Sequence, residues 1–155
     1  FFFGYSIAVT SVVGYHYGAQ NHAELKSLLR KSLIITVLVS LVMTGASVTL
    51  AGPIADLFVG YDAALHDMTV NALRIYSVSF LVFGFNIFGS AFFTGLNDGT
   101  LISFLRTLVF QVAAILLLPR WLDINGIWLA VTAAESLTLL VTVSLLAAKR
   151  RKYHY

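Results

Sequence analysis

INGIWLAVTAAESLTLLVTVSLLAA, residues Ile124–Ala148, is an apolar run interrupted by a single charge, Glu135. It exceeds the roughly 20 residues that a helix needs to cross a bilayer. An acidic residue at the centre of such a helix costs roughly 2.5–3.5 kcal/mol to insert, so it is usually kept for a proton relay, an ion site or a buried partner. The rest of the chain points to lipid as the solvent. Of 155 residues, 59% are hydrophobic and 11% charged, against about 25% charged in soluble domains. Mean hydropathy is +0.87. Three further runs approach or exceed spanning length: Leu33–Ile54, Leu73–Leu96 and Leu101–Leu118. Phe1–Gly14 is too short to span alone and lacks the Met and basic start of a signal peptide. It reads as the end of a helix begun upstream, and the chain as a fragment of a longer protein. The predicted fold class is all-α integral membrane, with four complete transmembrane helices plus the end of a fifth.

Charge placement orients these helices. Lys26, Arg30 and Lys31 precede the first full helix, Arg106 lies near the start of the third, and Lys149, Arg150, Arg151 and Lys152 follow the fourth. If the helices alternate, all eight lie on one side. Arg74 and Arg120 are left opposite, with Asp56, Asp62, Asp67 and Asp123. Basic loops stay cytoplasmic, so the first connector, the Asn97–Thr100 turn and the basic tail 149–155 are expected to face inward. That pattern accounts for the high pI without nucleic acid as a partner; anionic lipid suffices. Aromatic residues fall at matching depths, with Tyr61, Tyr76, Trp121 and Trp128 at the outer ends and Tyr15, Tyr17, Tyr153 and Tyr155 at the inner ends. Pro53 and Pro119 are expected to stop helices. Asn97-Asp98-Gly99 is expected to form a tight turn with left-handed backbone. The polar stretch from His16 to Arg30 should include an amphipathic segment with Leu25, Leu28 and Leu29 on one side.

Within the membrane, Trp128, Thr132, Glu135 and Thr142 are spaced by four, three and seven residues and share one helix face. Glu135 is the candidate for ion coupling or substrate counter-charge. The competing reading is a hydrogen bond that ties two helices together. At 1.5 Å per residue, Arg106 lies roughly 9 Å deep and Glu135 roughly 20 Å deep, an offset that puts Arg106 at the limit of its reach. Arg106 is better read as structural, snorkelling to the inner surface. Asn86 and Gln111 are deep, and with Thr132 and Thr142 they are candidate cavity-lining residues; cross-helix bonding is the alternative for both. The Phe-rich run Phe80–Phe93 decides little, because aromatics fill membrane bundles as readily as they hold cations. With no cysteine, no phosphate loop and no metal-ligand spacing, enzyme chemistry has no footing.

Three motifs carry a family resemblance. Gly14-Tyr15-His16-Tyr17-Gly18-Ala19-Gln20-Asn21, followed by Glu24-Leu25-Lys26, resembles the loop after a central helix in bacterial multidrug and toxic compound extrusion (MATE) transporters. Ser103-Phe104-Leu105-Arg106 with Leu116-Leu117-Leu118-Pro119, and Gly126-Ile127-Trp128-Leu129-Ala130 with Ala134-Glu135, are similar to the same family. The resemblance implies the C-terminal half of a twelve-helix, two-lobe transporter: residues 1–14 as the end of helix 8, 33–54 as helix 9, 73–96 as helix 10, 101–118 as helix 11 and 124–148 as helix 12. Two positions depart from the family pattern. His16 stands where Asn is common, and Thr132 where a proline is common, which predicts a straighter last helix.

The resemblance further implies a multi-pass protein of the bacterial plasma (inner) membrane with a cytoplasmic C-terminus. It would export cationic amphiphilic small molecules by alternating access, in exchange for protons or sodium. Its partners would be membrane lipid, the cationic substrate and the N-terminal lobe of the same protein, with no cofactor beyond the coupling ion. Two alternatives stay open: a lipid-linked oligosaccharide flippase of the same superfamily, and a non-transporting membrane interaction module or truncated product.

Overall fold

The computed structural model describes residues 1–99 and 104–155, the side chain of Arg106 excepted. Its helices are α1 (Phe2–Gly18), α2 (His22–Thr49), α3 (Ala51–Val59), α4 (Ala63–Ser77), α5 (Phe80–Gly95), a π-helical stretch over Leu105–Phe110, α6 (Gln111–Leu117) and α7 (Pro119–Tyr153). Among the described residues there is no strand. Helices α2 and α7 are each long and apolar enough to cross a membrane, and α4 with α5 does so as a pair bent by 45°. Of the four full spans expected, the one over 101–118 begins in residues outside the description; Thr107–Leu117 is its described apolar part.

Local chemistry explains where the helices differ from the hydropathy runs. α1 continues through Gly18, so most of the first family motif is helical, and the turn falls at Gln20 in left-handed backbone (φ 54°). α2 starts at His22 rather than at 33. The Asn21 side chain accepts from the Glu24 N–H at 3.2 Å, an N-cap that lets the polar stretch enter the helix. Leu25 is fully buried there, with Leu28 and Leu29 packed beside it. Pro53 does not end α2; it sits in the first turn of α3, where its missing N–H costs nothing. The break falls at Leu50, just beyond Thr49, whose carbonyl a proline four residues on would strike. α4 is capped by Asp62, which accepts from the N–H groups of Ala64 and Leu65. The expected single helix 73–96 is broken at Val78–Ser79, where the backbone tightens to three-residue bonds. Pro119 opens α7 at its first position instead of only closing the helix before it. Asp123 breaks α7 with φ 48° and ψ −135°. No further non-helical residue follows in α7, in keeping with Thr132 standing where a proline would kink it.

α5 is the hub, packed against α1, α2 and α7. Glycines permit this closeness. A Cβ at Gly95 would meet the Thr10 carbonyl at 2.8 Å, and one at Gly89 would strike the Thr142 methyl group. The outer surface is apolar: Leu38, Leu41, Val42, Leu140 and Val143 are all exposed. Ser32, Thr36, Ser40, Ser77, Asn86, Glu135, Thr138 and Thr142 are buried instead. Polar groups inside and aliphatic groups outside is the arrangement that lipid selects. At one end a true apolar core forms from Val9, Val13, Leu25, Phe88, Phe92, Phe93 and Leu96, closed by Tyr153 and Tyr155.

Candidate functional site

Glu135 and Asn86 meet across the α5–α7 interface. The Asn86 amide nitrogen donates to the Glu135 carboxylate Oε2 at 2.6 Å and to the Glu135 backbone carbonyl at 2.7 Å. Thr142 Oγ1 donates to Asn86 Oδ1 at 3.3 Å. Asn86 is fully enclosed, and Glu135 and Thr142 are 3% and 2% exposed. Seven residues separate Glu135 from Thr142, so both face α5, and Gly89 one turn beyond Asn86 leaves room for the Thr142 methyl. The bond from Asn86 to Oε2 and the one to the Glu135 carbonyl tie the side chain and the backbone of α7 to the same amide of α5.

The sequence-predicted residues separate into three groups here. Glu135, Asn86 and Thr142 are brought together. Among the described residues, Asn86 and Thr142 are buried against each other at the α5–α7 contact. Thr132 is only partly buried, and its hydroxyl has no hydrogen-bond partner among the described residues. Gln111 is half-buried on α6, and no hydrogen bond joins it to the cluster among the described residues. The expectation that Arg106 snorkels concerns a side chain outside those described.

A cleft of about 280 Å³ opens on another face of α5, between α1 and Thr107. Ser6, Thr10, Ser90 and Thr94 line it. Three of these hydroxyls commit their protons to backbone carbonyls: Ser6 to Phe3 at 2.8 Å, Thr10 to Ser6 at 2.9 Å and Thr94 to Ser90 at 2.7 Å. A hydroxyl whose proton is spent offers lone pairs, so the cleft presents acceptors among apolar side chains. Sequence reasoning missed it. The signal was there in Ser6/Thr10 and Ser90/Thr94, two hydroxyl pairs at a spacing of four, each on one helix face.

A second missed cluster lies at the basic end. Asp98 accepts from Lys149 and, at 2.8 Å, from the Tyr153 hydroxyl, with Lys152 at 3.8 Å. Asn97 supplies the predicted left-handed turn residue (φ 61°) that aims Asp98 at α7. The Lys149 ammonium, then the Tyr153 hydroxyl, hold the Asp98 carboxyl below its ordinary value. Tyr155 donates to the Leu146 carbonyl at 3.1 Å, and burial pushes its phenol up to about 12. Tyr153 and Tyr155 are therefore not interfacial anchors. They are 3% and 6% exposed and cap the core, whereas Tyr15, Tyr61 and Trp121 remain exposed. Lys149 is likewise engaged by Asp98 and not left for topology alone.

The MatE family model matches residues 1–119. A solved structure described as the outward-facing conformation of a multidrug resistance MATE family transporter of the MOP superfamily superposes with a TM-score of 0.84 at 24% identity. The superposition covers 97% of this chain and 36% of that one, so the chain spans about a third of that transporter's length. No curated protein matches the chain.

Proposed function

The chain belongs to the MatE family, whose members are transporters and not enzymes, and on that footing we propose that it serves an ion-coupled exporter of cationic amphiphilic small molecules. The observation that carries this reading is the buried carboxylate of Glu135, held between α5 and α7 by Asn86. In the proposed mechanism, Glu135 binds a proton or balances a cation as two lobes rock in alternating access. The hydroxyl-lined cleft beside α1 forms part of the substrate path, its acceptors suited to an ammonium group and its apolar walls to a hydrophobic body. Protons and sodium are the two candidate coupling ions.

The proposed location is a bacterial inner membrane with the C-terminus cytoplasmic. In support, Lys26 and Arg30 on α2 line one groove with Arg150 of α7, so basic residues from both ends of the chain gather at one end of the bundle. The flippase alternative calls for basic residues to hold pyrophosphate, and the described side chains lining the cleft carry none.

The test is Glu135→Gln in the complete protein. Gln keeps an acceptor for Asn86, so the bundle stays assembled while the titrating group is removed. Loss of efflux, or of its pH dependence, is expected. Unchanged efflux with an unchanged pH profile removes Glu135 from the mechanism.

A further inference from the structure

We propose that the groove between α2 and the end of α7 binds an anionic phospholipid, with the headgroup phosphate among Lys26, Arg30 and Arg150. The groove holds about 450 Å³, and Leu33, Ile34 and Leu146 line its apolar part. Tyr155, bonded to the Leu146 carbonyl, forms one wall. A second groove of about 460 Å³, which includes Lys31, shares Lys26 and Arg30 with the first. Neither lining contains a carboxylate.

Charge complementarity identifies the occupant. None of Lys26, Arg30 and Arg150 has an ion-pair partner among the described residues. Asp98 engages Lys149 and Lys152 on another side of α7 and leaves Arg150 to the groove. Like charges around one cavity repel, and a phosphodiester relieves that repulsion while accepting hydrogen bonds from each. The apolar part distinguishes a lipid from a free anion. Ile34 is 50% exposed, and the exposed face continues along α2 through Leu38 and Leu41. Arg30 lies about 5 Å along the helix axis from Leu33. A headgroup at Arg30 thus places an acyl chain on the aliphatic face directly beneath it. Basic pockets between membrane helices at the membrane surface bind lipid headgroups by this geometry. The proposal rests on the membrane fold and not on the transport reading.

The complete protein, purified in nanodiscs of phosphatidylglycerol and phosphatidylcholine and released into native mass spectrometry, tests this. The wild type is expected to retain phosphatidylglycerol in preference to phosphatidylcholine. Lys26→Gln/Arg30→Gln/Arg150→Gln should weaken that retention on the order of a hundredfold. The charge-keeping pair Lys26→Arg/Arg30→Lys should restore most of it. Arg74→Gln/Arg120→Gln, far along the helices, should leave it unchanged. Equal retention of both lipids overturns the proposal, as does full retention by the triple variant. Displacement of the lipid by inorganic phosphate alone also overturns it, because the site would then read a free anion.

Discussion

Replacing Asn86 by Leu tests whether the α5–α7 contact depends on its polar cluster. The substitution keeps side-chain bulk but deletes the donor to Glu135 Oε2 (2.6 Å) and to the Glu135 carbonyl (2.7 Å), and the acceptor for Thr142 (3.3 Å). Hydrogen bonds between membrane helices average about 0.6 kcal/mol and reach about 1.7 kcal/mol. The two short bonds belong at the upper end, because one acceptor is a carboxylate and both lie out of water. The longer Thr142 bond belongs at or below the average. The expected loss is therefore about 3 kcal/mol. Thr142→Val should cost about 0.5 kcal/mol, since only the long bond is removed. Glu135→Gln should cost under about 1 kcal/mol, because the amide oxygen still accepts. The assay is denaturant titration of the complete protein in mixed micelles, followed by a fluorescent pair placed on α5 and α7. If Asn86→Leu lies within about 0.5 kcal/mol of wild type, the cluster does not hold the interface. If Glu135→Gln costs as much as Asn86→Leu, the acceptor argument fails, and the transport test on Glu135 could not separate function from folding.

Two further predictions concern the backbone and the C-terminal end. A Cβ at Gly126 would lie 2.5 Å from the Leu118 carbonyl oxygen and 2.6 Å from its carbon, so Gly126→Ala should destabilise by about 1–3 kcal/mol. Gly45→Ala, with nothing within 4 Å near the C-terminal end of α2, should stabilise by up to about 1 kcal/mol; equal effects of the two in the same titration would discredit the packing at Gly126. Asp98 has its folded pKa below the ordinary 3.8, so its contribution is present above that value and lost as pH falls through the lower folded one. The protection of residues 149–155 against hydrogen exchange, relative to the intrinsic rate at each pH, should therefore be flat through neutral pH and fall only in strong acid, whereas Asp98→Asn should lower it at neutral pH too; a loss of protection by the wild type near neutral pH would contradict the lock.

Much of the architecture was legible locally. Runs such as Leu33–Ile54 and Ile124–Ala148 name lipid as the solvent whatever they pack against, because transfer of each side chain depends little on its neighbours. The turn at Asn97 and the isolation of Glu135 in an apolar run were legible for the same reason. Helix ends were less so. The polar stretch beginning at His22 is as compatible with a loop as with a helix until Asn21 caps it and Leu25 is buried. The Val78–Ser79 break leaves no Pro or Gly as a marker; α4 and α5 both pack on α2 and α7, and beyond the break α3 is the further neighbour of α4 and α1 that of α5.

The sequence by itself determined an all-α membrane fold and a lone carboxylate within the apolar run of α7. Only the tertiary structure decided what that carboxylate meets. Asn86 lies 49 residues away, and its encounter with Glu135 depends on the rotation of α5 about its own axis and its register against α7. Those are set by Gly89 accepting the Thr142 methyl and by Gly95 closing on α1. Hydropathy reports how each residue partitions between water and lipid. It carries no information on which two polar groups, once both are in lipid, are turned toward each other.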